Sequence, residues 1–127
     1  MISSQLSALL RQWIDEARAT HPSHLTPDGR GVLIYGDMGG ATYVTSDGEI
    51  LTQPWDADRA QPEPDPKLRH TALVIGARRR PELKELLPER SPSDTDCSAC
   101  SGTGWLQFDA ARIVCGQCGG LGWNAAT

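Results

Sequence analysis

The sequence predicts an α+β protein: an N-terminal helix packed on a small antiparallel meander, followed by a short β-hairpin module. Three observations carry this. Apolar residues recur at helical spacing over residues 3–19. From Gly31 the pattern changes to short β-branched and aromatic runs separated by glycine turns. Near the C-terminus, all four cysteines fall into two stretches that share one spacing. The 127 residues suffice for one modest domain and a small module. The expected division is a 1–90 α+β domain and a 91–127 module.

The helix is expected first. Ile2, Leu6, Leu9, Leu10, Trp13, Ile14 and Ala17 fall on one face, and Gln5, Arg11, Gln12, Asp15 and Arg18 on the other. Ser3 or Ser4 can cap its start, and Pro22 stops it. His21 and His24 then lie in a solvated loop.

Val32 to Tyr35 reads as a strand, Gly36 to Gly40 as a turn and Ala41 to Thr45 as a second strand. Asp47-Gly48 marks a tight hairpin into a third strand, Glu49 to Gln53. The Gly36–Gly40 turn lacks the lysine and the following helix of a phosphate-binding loop. Residues 54–70 are polar, and Pro62, Pro64 and Pro66 should make them a stiff exposed loop, with Trp55 anchored on the core at its start. Thr71 to Ile75 reads as a buried strand, and Pro81 opens a short helix to about Leu87. Arg78-Arg79-Arg80 is the one basic run and is expected to be solvated. Pro88 to Asp96 reads as the linker into the module.

The cysteine stretches are Cys97-Ser98-Ala99-Cys100-Ser101-Gly102-Thr103-Gly104-Trp105 and Cys115-Gly116-Gln117-Cys118-Gly119-Gly120-Leu121-Gly122-Trp123. Both read C-x-x-C-x-G-x-G-W. Two cysteines separated by two residues can turn both sulfurs to one point, and a second pair closes a tetrahedron. The reading is one structural Zn2+ per chain, held by Cys97, Cys100, Cys115 and Cys118. Four thiolates leave no open coordination position for catalysis. A redox C-x-x-C or two disulfides are the competing readings. A redox motif, however, usually begins a helix beside a βαβ unit, whereas glycine turns follow each pair here.

These repeats resemble the cysteine-rich zinc domain of the DnaJ co-chaperones, over residues 95–125. That domain carries four C-x-x-C-x-G-x-G copies and two zinc ions; this chain carries two copies, enough for one. The resemblance implies the same four cysteine ligands, with residues 104–114 as the hairpin joining the repeats. It does not extend to a J-domain, because His21-Pro22 is followed by Ser23 where that domain has Asp. A second resemblance, over residues 3–53, is to the SUKH superfamily, whose bacterial members are often toxin-immunity proteins. It implies a partner-binding sheet surface and no catalytic residue.

The formal net charge is −4, which disfavours general nucleic-acid binding. No apolar run is long enough to span a bilayer, and Met1 to Leu10 lacks the pattern of a signal peptide. A cytoplasmic location is expected, in keeping with reduced cysteines. No catalytic constellation is present. The first expectation is therefore a non-enzymatic zinc-binding adaptor that takes a protein or peptide partner. A SUKH-like immunity protein and a thiol-disulfide oxidoreductase are the alternatives. Trp105, Leu121 and Trp123, large apolar groups on a glycine-rich frame, are the candidate partner-binding residues. Partner identity and oligomeric state are not legible in the sequence.

Overall fold

The computed structural model describes residues 2–124. The chain forms two compact units, Met1–Pro64 and Asp65–Thr127.

In the first unit, helix α1 spans Ser4–Thr20. The Ser3 hydroxyl oxygen accepts from the Leu6 amide at 3.1 Å, which satisfies one of the open N–H groups of the first turn. Leu6, Leu10, Trp13, Ile14 and Ala17 are buried, as the helical spacing required. A short 3-10 turn at Pro22–His24 follows, and His21 before it and His24 within it are exposed.

Strands β1 (Gly31–Gly36), β2 (Gly40–Thr45) and β3 (Ile50–Pro54) form the antiparallel meander. Register places Val32 opposite Val44, and Val44 opposite Ile50, so these three share one face. Helix α1 packs against β1 and β2. On the other face, Ala41, Tyr43 and Leu51 cluster with Ala60, and Leu33 packs against them. The β2–β3 turn is closed by the Thr45 amide, which donates to the Glu49 carbonyl at 3.0 Å, and Gly48 within it has φ +84°. Asp37 Oδ1 accepts from the amides of Gly39 at 2.8 Å and Gly40 at 3.0 Å and holds the β1–β2 turn.

The loop after β3 differs from expectation in two ways. Gln61–Pro62 forms a fourth strand, β4, paired with β3 at Leu51 and Thr52. Proline is tolerated there because β4 is an edge. Trp55 is 63% exposed rather than anchored in the core, and its indole N–H donates to the Asp37 carbonyl at 2.8 Å.

In the second unit, residues 66–76 are helix α2 (Pro66–Gly76), not a strand over 71–75. The Asp65 carboxylate accepts from the Lys67 amide at 2.9 Å, and Pro66 sits in the first turn. Capping and proline placement outweigh the weak β preference of Thr71, Val74 and Ile75. Pro81–Leu86 is a 3-10 turn that buries Leu83 completely. The segment 88–96 is pinned by an ion pair between Arg90 and Asp96 at 2.7 Å.

Strand β5 (Thr95–Asp96) pairs with β8 (Trp123–Asn124), and β6 (Trp105–Phe108) pairs with β7 (Ala111–Val114) as a hairpin turning at Asp109 and Ala110. The composition break that set the expected boundary at 90 lies inside this second unit. Helix α2 belongs with the cysteine stretches because Gly119 lies against Lys67 and His70, and Gly120 against Val74. Among the described residues, no helix is long and apolar enough to cross a membrane.

Candidate metal centre

The chain makes the same local structure twice. At the first knuckle the Gly102 amide donates to the Cys97 carbonyl at 3.0 Å, and at the second the Gly120 amide donates to Cys115 at 3.1 Å. The Gly104 amide then donates to Cys100 Sγ at 3.2 Å, and the Gly122 amide to Cys118 Sγ at 3.2 Å. Each knuckle also donates to the other: Cys97 N–H to the Gly122 carbonyl at 3.0 Å, and Cys115 N–H to Gly104 at 2.9 Å. The two sequence repeats are thus two structural repeats with matching hydrogen bonds.

Glycine is required where the knuckles meet. Gly104 and Gly122 have φ of +84° and +89°. A Cβ on Gly104 would collide with the Gly120 carbonyl oxygen, and one on Gly122 would lie 2.6 Å from the Gly102 oxygen. Any side chain at either position would therefore push the knuckles apart.

The result is a compact set of sulfurs. Cys97 Sγ lies 3.8 Å from Cys115 Sγ, and Cys100 Sγ lies 3.8 Å from Cys118 Sγ. All four sulfurs fall within 4.8 Å of one another and can hold a metal ion. A disulfide needs about 2.05 Å, so all four cysteines are free thiols. A regular tetrahedron with edges of 3.8 Å has its centre about 2.3 Å from each corner, which is a metal–thiolate distance. Cys97 and Cys115 are 0% exposed, Cys118 4% and Cys100 6%. All four cysteines are thus buried, with only slight exposure at Cys100 and Cys118. Among the described residues, no histidine or carboxylate joins this cluster. His70 touches the second knuckle at Gly119 but is not among its ligands.

Without metal, the sulfurs compete for charge. Burial pushes the Cys100 thiol up, but the Gly104 amide and hydrogen bonds with the neighbouring sulfurs outweigh it and bring it down to about 7. Burial pushes Cys118 up to about 11, with the Gly122 and Gly120 amides opposing. Cys100 and Cys118 hold equivalent places in the repeat, so the opposite shifts describe one shared charge. The first thiolate disfavours a second beside it.

Trp105 and Trp123 occupy equivalent repeat positions but different surroundings. Trp105, half-buried on β6, carries the Arg78 guanidinium 4.0 Å from its ring centroid and that of Arg112 at 4.9 Å. The basic run was expected to be solvated, and this contact for Arg78 was missed. Its sequence signal is an arginine at a helix end and a tryptophan on a distant hairpin, which no local pattern joins. Trp123 is half-buried on β8 and lines a groove with Leu121. The three candidate partner-binding residues are therefore not one patch: Leu121 and Trp123 share the groove, and Trp105 lies under arginines. No protein-family model matches the chain, and neither a curated protein nor a solved structure matches it.

Proposed function

We propose that this chain is a non-enzymatic zinc protein, an adaptor whose Cys97, Cys100, Cys115 and Cys118 hold one structural zinc ion and fix a surface for a protein or peptide partner. The observation that carries the reading is the closed set of four buried sulfurs with paired edges of 3.8 Å. Tetrahedral thiolate coordination is the geometry zinc prefers, and four protein ligands leave no site for substrate. The amides of Gly104 and Gly122, aimed at two of the sulfurs, would stabilise the thiolate charge.

The duplicated knuckle with its joining hairpin supports reading residues 95–125 as a DnaJ-type module reduced to one metal site. Thiol-disulfide exchange is disfavoured because it needs an accessible thiolate, and these cysteines are buried. Free thiols held for metal suit the reducing cytoplasm.

The test is elemental analysis of purified protein beside a thiol titration in denaturant. One zinc and four titratable thiols per chain are expected. Two disulfides and no metal would overturn the reading.

A further inference from the structure

Beside the second knuckle lies a groove of about 260 Å³. It is lined by Val74 of α2, by Ala77 just after that helix, and by Leu87, Leu121 and Trp123. The volume is below the usual range for small-molecule and cofactor pockets, about 300–1,000 Å³, and suits one or two side chains of a peptide instead. Lys84 is the one charged residue of the lining. Its side chain is exposed, and its ammonium has no ionic partner among the described residues. Arg79, two residues beyond the groove-lining Ala77, is likewise exposed and without an ionic partner among the described residues.

An apolar slot that has an exposed lysine in its lining, with no ionic partner among the described residues, is complementary to an apolar side chain next to a carboxylate. The chain carries a formal −4, so long-range attraction does not favour an acidic ligand. The ammonium must act at contact, where it fixes register and charge preference. The groove frame includes Gly120 and Leu121, two and three residues after the candidate ligand Cys118. A metal that fixes the knuckle would therefore pre-shape the groove and lower the ordering cost of binding.

We propose that this groove holds an apolar side chain of an extended peptide whose neighbouring residue is Asp or Glu, with that carboxylate paired to Lys84. The inference rests on the reading of the chain as a partner-binding zinc protein and gives that partner its chemistry. Trp123 and Leu121 supply the apolar contact, and Lys84 selects the flanking charge.

The experiment is fluorescence anisotropy on the full zinc-loaded chain. The probe is a fluorescein-labelled nonapeptide with Leu-Asp-Leu-Asp at its centre and Gly and Ser on both sides. Two companion peptides carry Ser for each Leu, or Lys for each Asp. The parent peptide should bind, and either companion should bind about tenfold more weakly or worse. Trp123→Ala should weaken the parent peptide by a similar factor. Lys84→Glu, at an exposed position that folding does not need, should reverse the preference toward the Lys peptide. Zinc is measured on every sample. A zinc-loaded chain that binds none of the peptides, or a Lys84→Glu chain that keeps the acidic preference, overturns the groove assignment and leaves the metal reading standing. A chain that holds no zinc overturns the metal reading itself.

Discussion

The amide of Cys97 donates to the carbonyl of Gly122 at 3.0 Å, so the first sulfur-bearing residue of one knuckle is tied to the last glycine of the other. The reciprocal bond, from Cys115 to Gly104, is 2.9 Å. The knuckles are joined by backbone as well as by what their sulfurs can hold. Neither can shift without breaking a hydrogen bond of its twin.

Gly122 should therefore be intolerant of the smallest side chain. Gly122→Ala combines a left-handed φ with a clash against the Gly102 oxygen. The expected loss is about 2 kcal/mol or more of second-unit stability. Faster zinc loss to a chelator should accompany it. Gly116→Ala is the control, because a Cβ there meets nothing within 4 Å. Thermal unfolding and chelator-release rates on the two variants test this; equal behaviour would mean that the knuckle contact is not tight.

Cys97→Ser should unfold more than the hairpin. Metal binding supplies most of the folding free energy of small zinc modules, about 10–16 kcal/mol. Helix α2 leans on Gly119 and Gly120 and buries Ala72 and Leu73. Its amides should therefore lose hydrogen-exchange protection together with those of β5 to β8. The amides of α1 and β1 to β3, which have their own core, should keep it. Protection retained in α2 would place the functional division nearer residue 90 than residue 64.

Zinc affinity should fall on acidification, and more steeply below about pH 7. Protons compete with metal for thiolates. In the metal-free centre Cys118 is held up to about 11, so zinc must displace its proton throughout the neutral range. Cys100 sits at about 7, so below that pH its proton must be displaced as well. The plot of log affinity against pH should steepen by one proton as pH falls through 7. Chelator competition between about pH 6 and pH 8, with calorimetric proton counts, measures it. An unchanged slope would show that no thiol of the set titrates near pH 7.

Arg78 should stabilise the second unit through the ring of Trp105. At 4.0 Å from the centroid of a half-buried indole, the contact is expected to contribute about 0.5–1 kcal/mol. Arg112, at 4.9 Å, should contribute less. A double-mutant cycle of Arg78→Ala with Trp105→Leu, followed by denaturant unfolding, isolates the coupling. Coupling near zero would reduce the stack to a surface coincidence.

Much of the first unit was legible because its signals are local. Leu6, Leu10, Trp13 and Ile14 declare a helix face by spacing alone, and Asp47-Gly48 declares a hairpin by turn chemistry. The sulfur cluster was legible because C-x-x-C spacing carries its own geometry. Helix α2 was misread because Thr71 to Ile75 is a short apolar run, and periodicity cannot separate a strand from a helix at that length. The deciding signals, Asp65 as cap and Pro66 after it, were visible but were absorbed into the proline loop. The Arg78–Trp105 stack and the β5–β8 pairing join residues far apart in sequence, where no pattern reaches.

The pairing of β5 with β8 also decides how the knuckle pair would bear a mechanical load. Thr95 faces Asn124 and Asp96 faces Trp123, so the strands leading into and out of the pair lie side by side. Tension applied at those two points would open the strand rungs one after another, as a zipper, rather than shear them together. Next in line stands the bond from Cys97 to Gly122, and only behind it the sulfurs. Force would peel the closure first and reach the sulfurs last, and on release the same rungs could close again in reverse order.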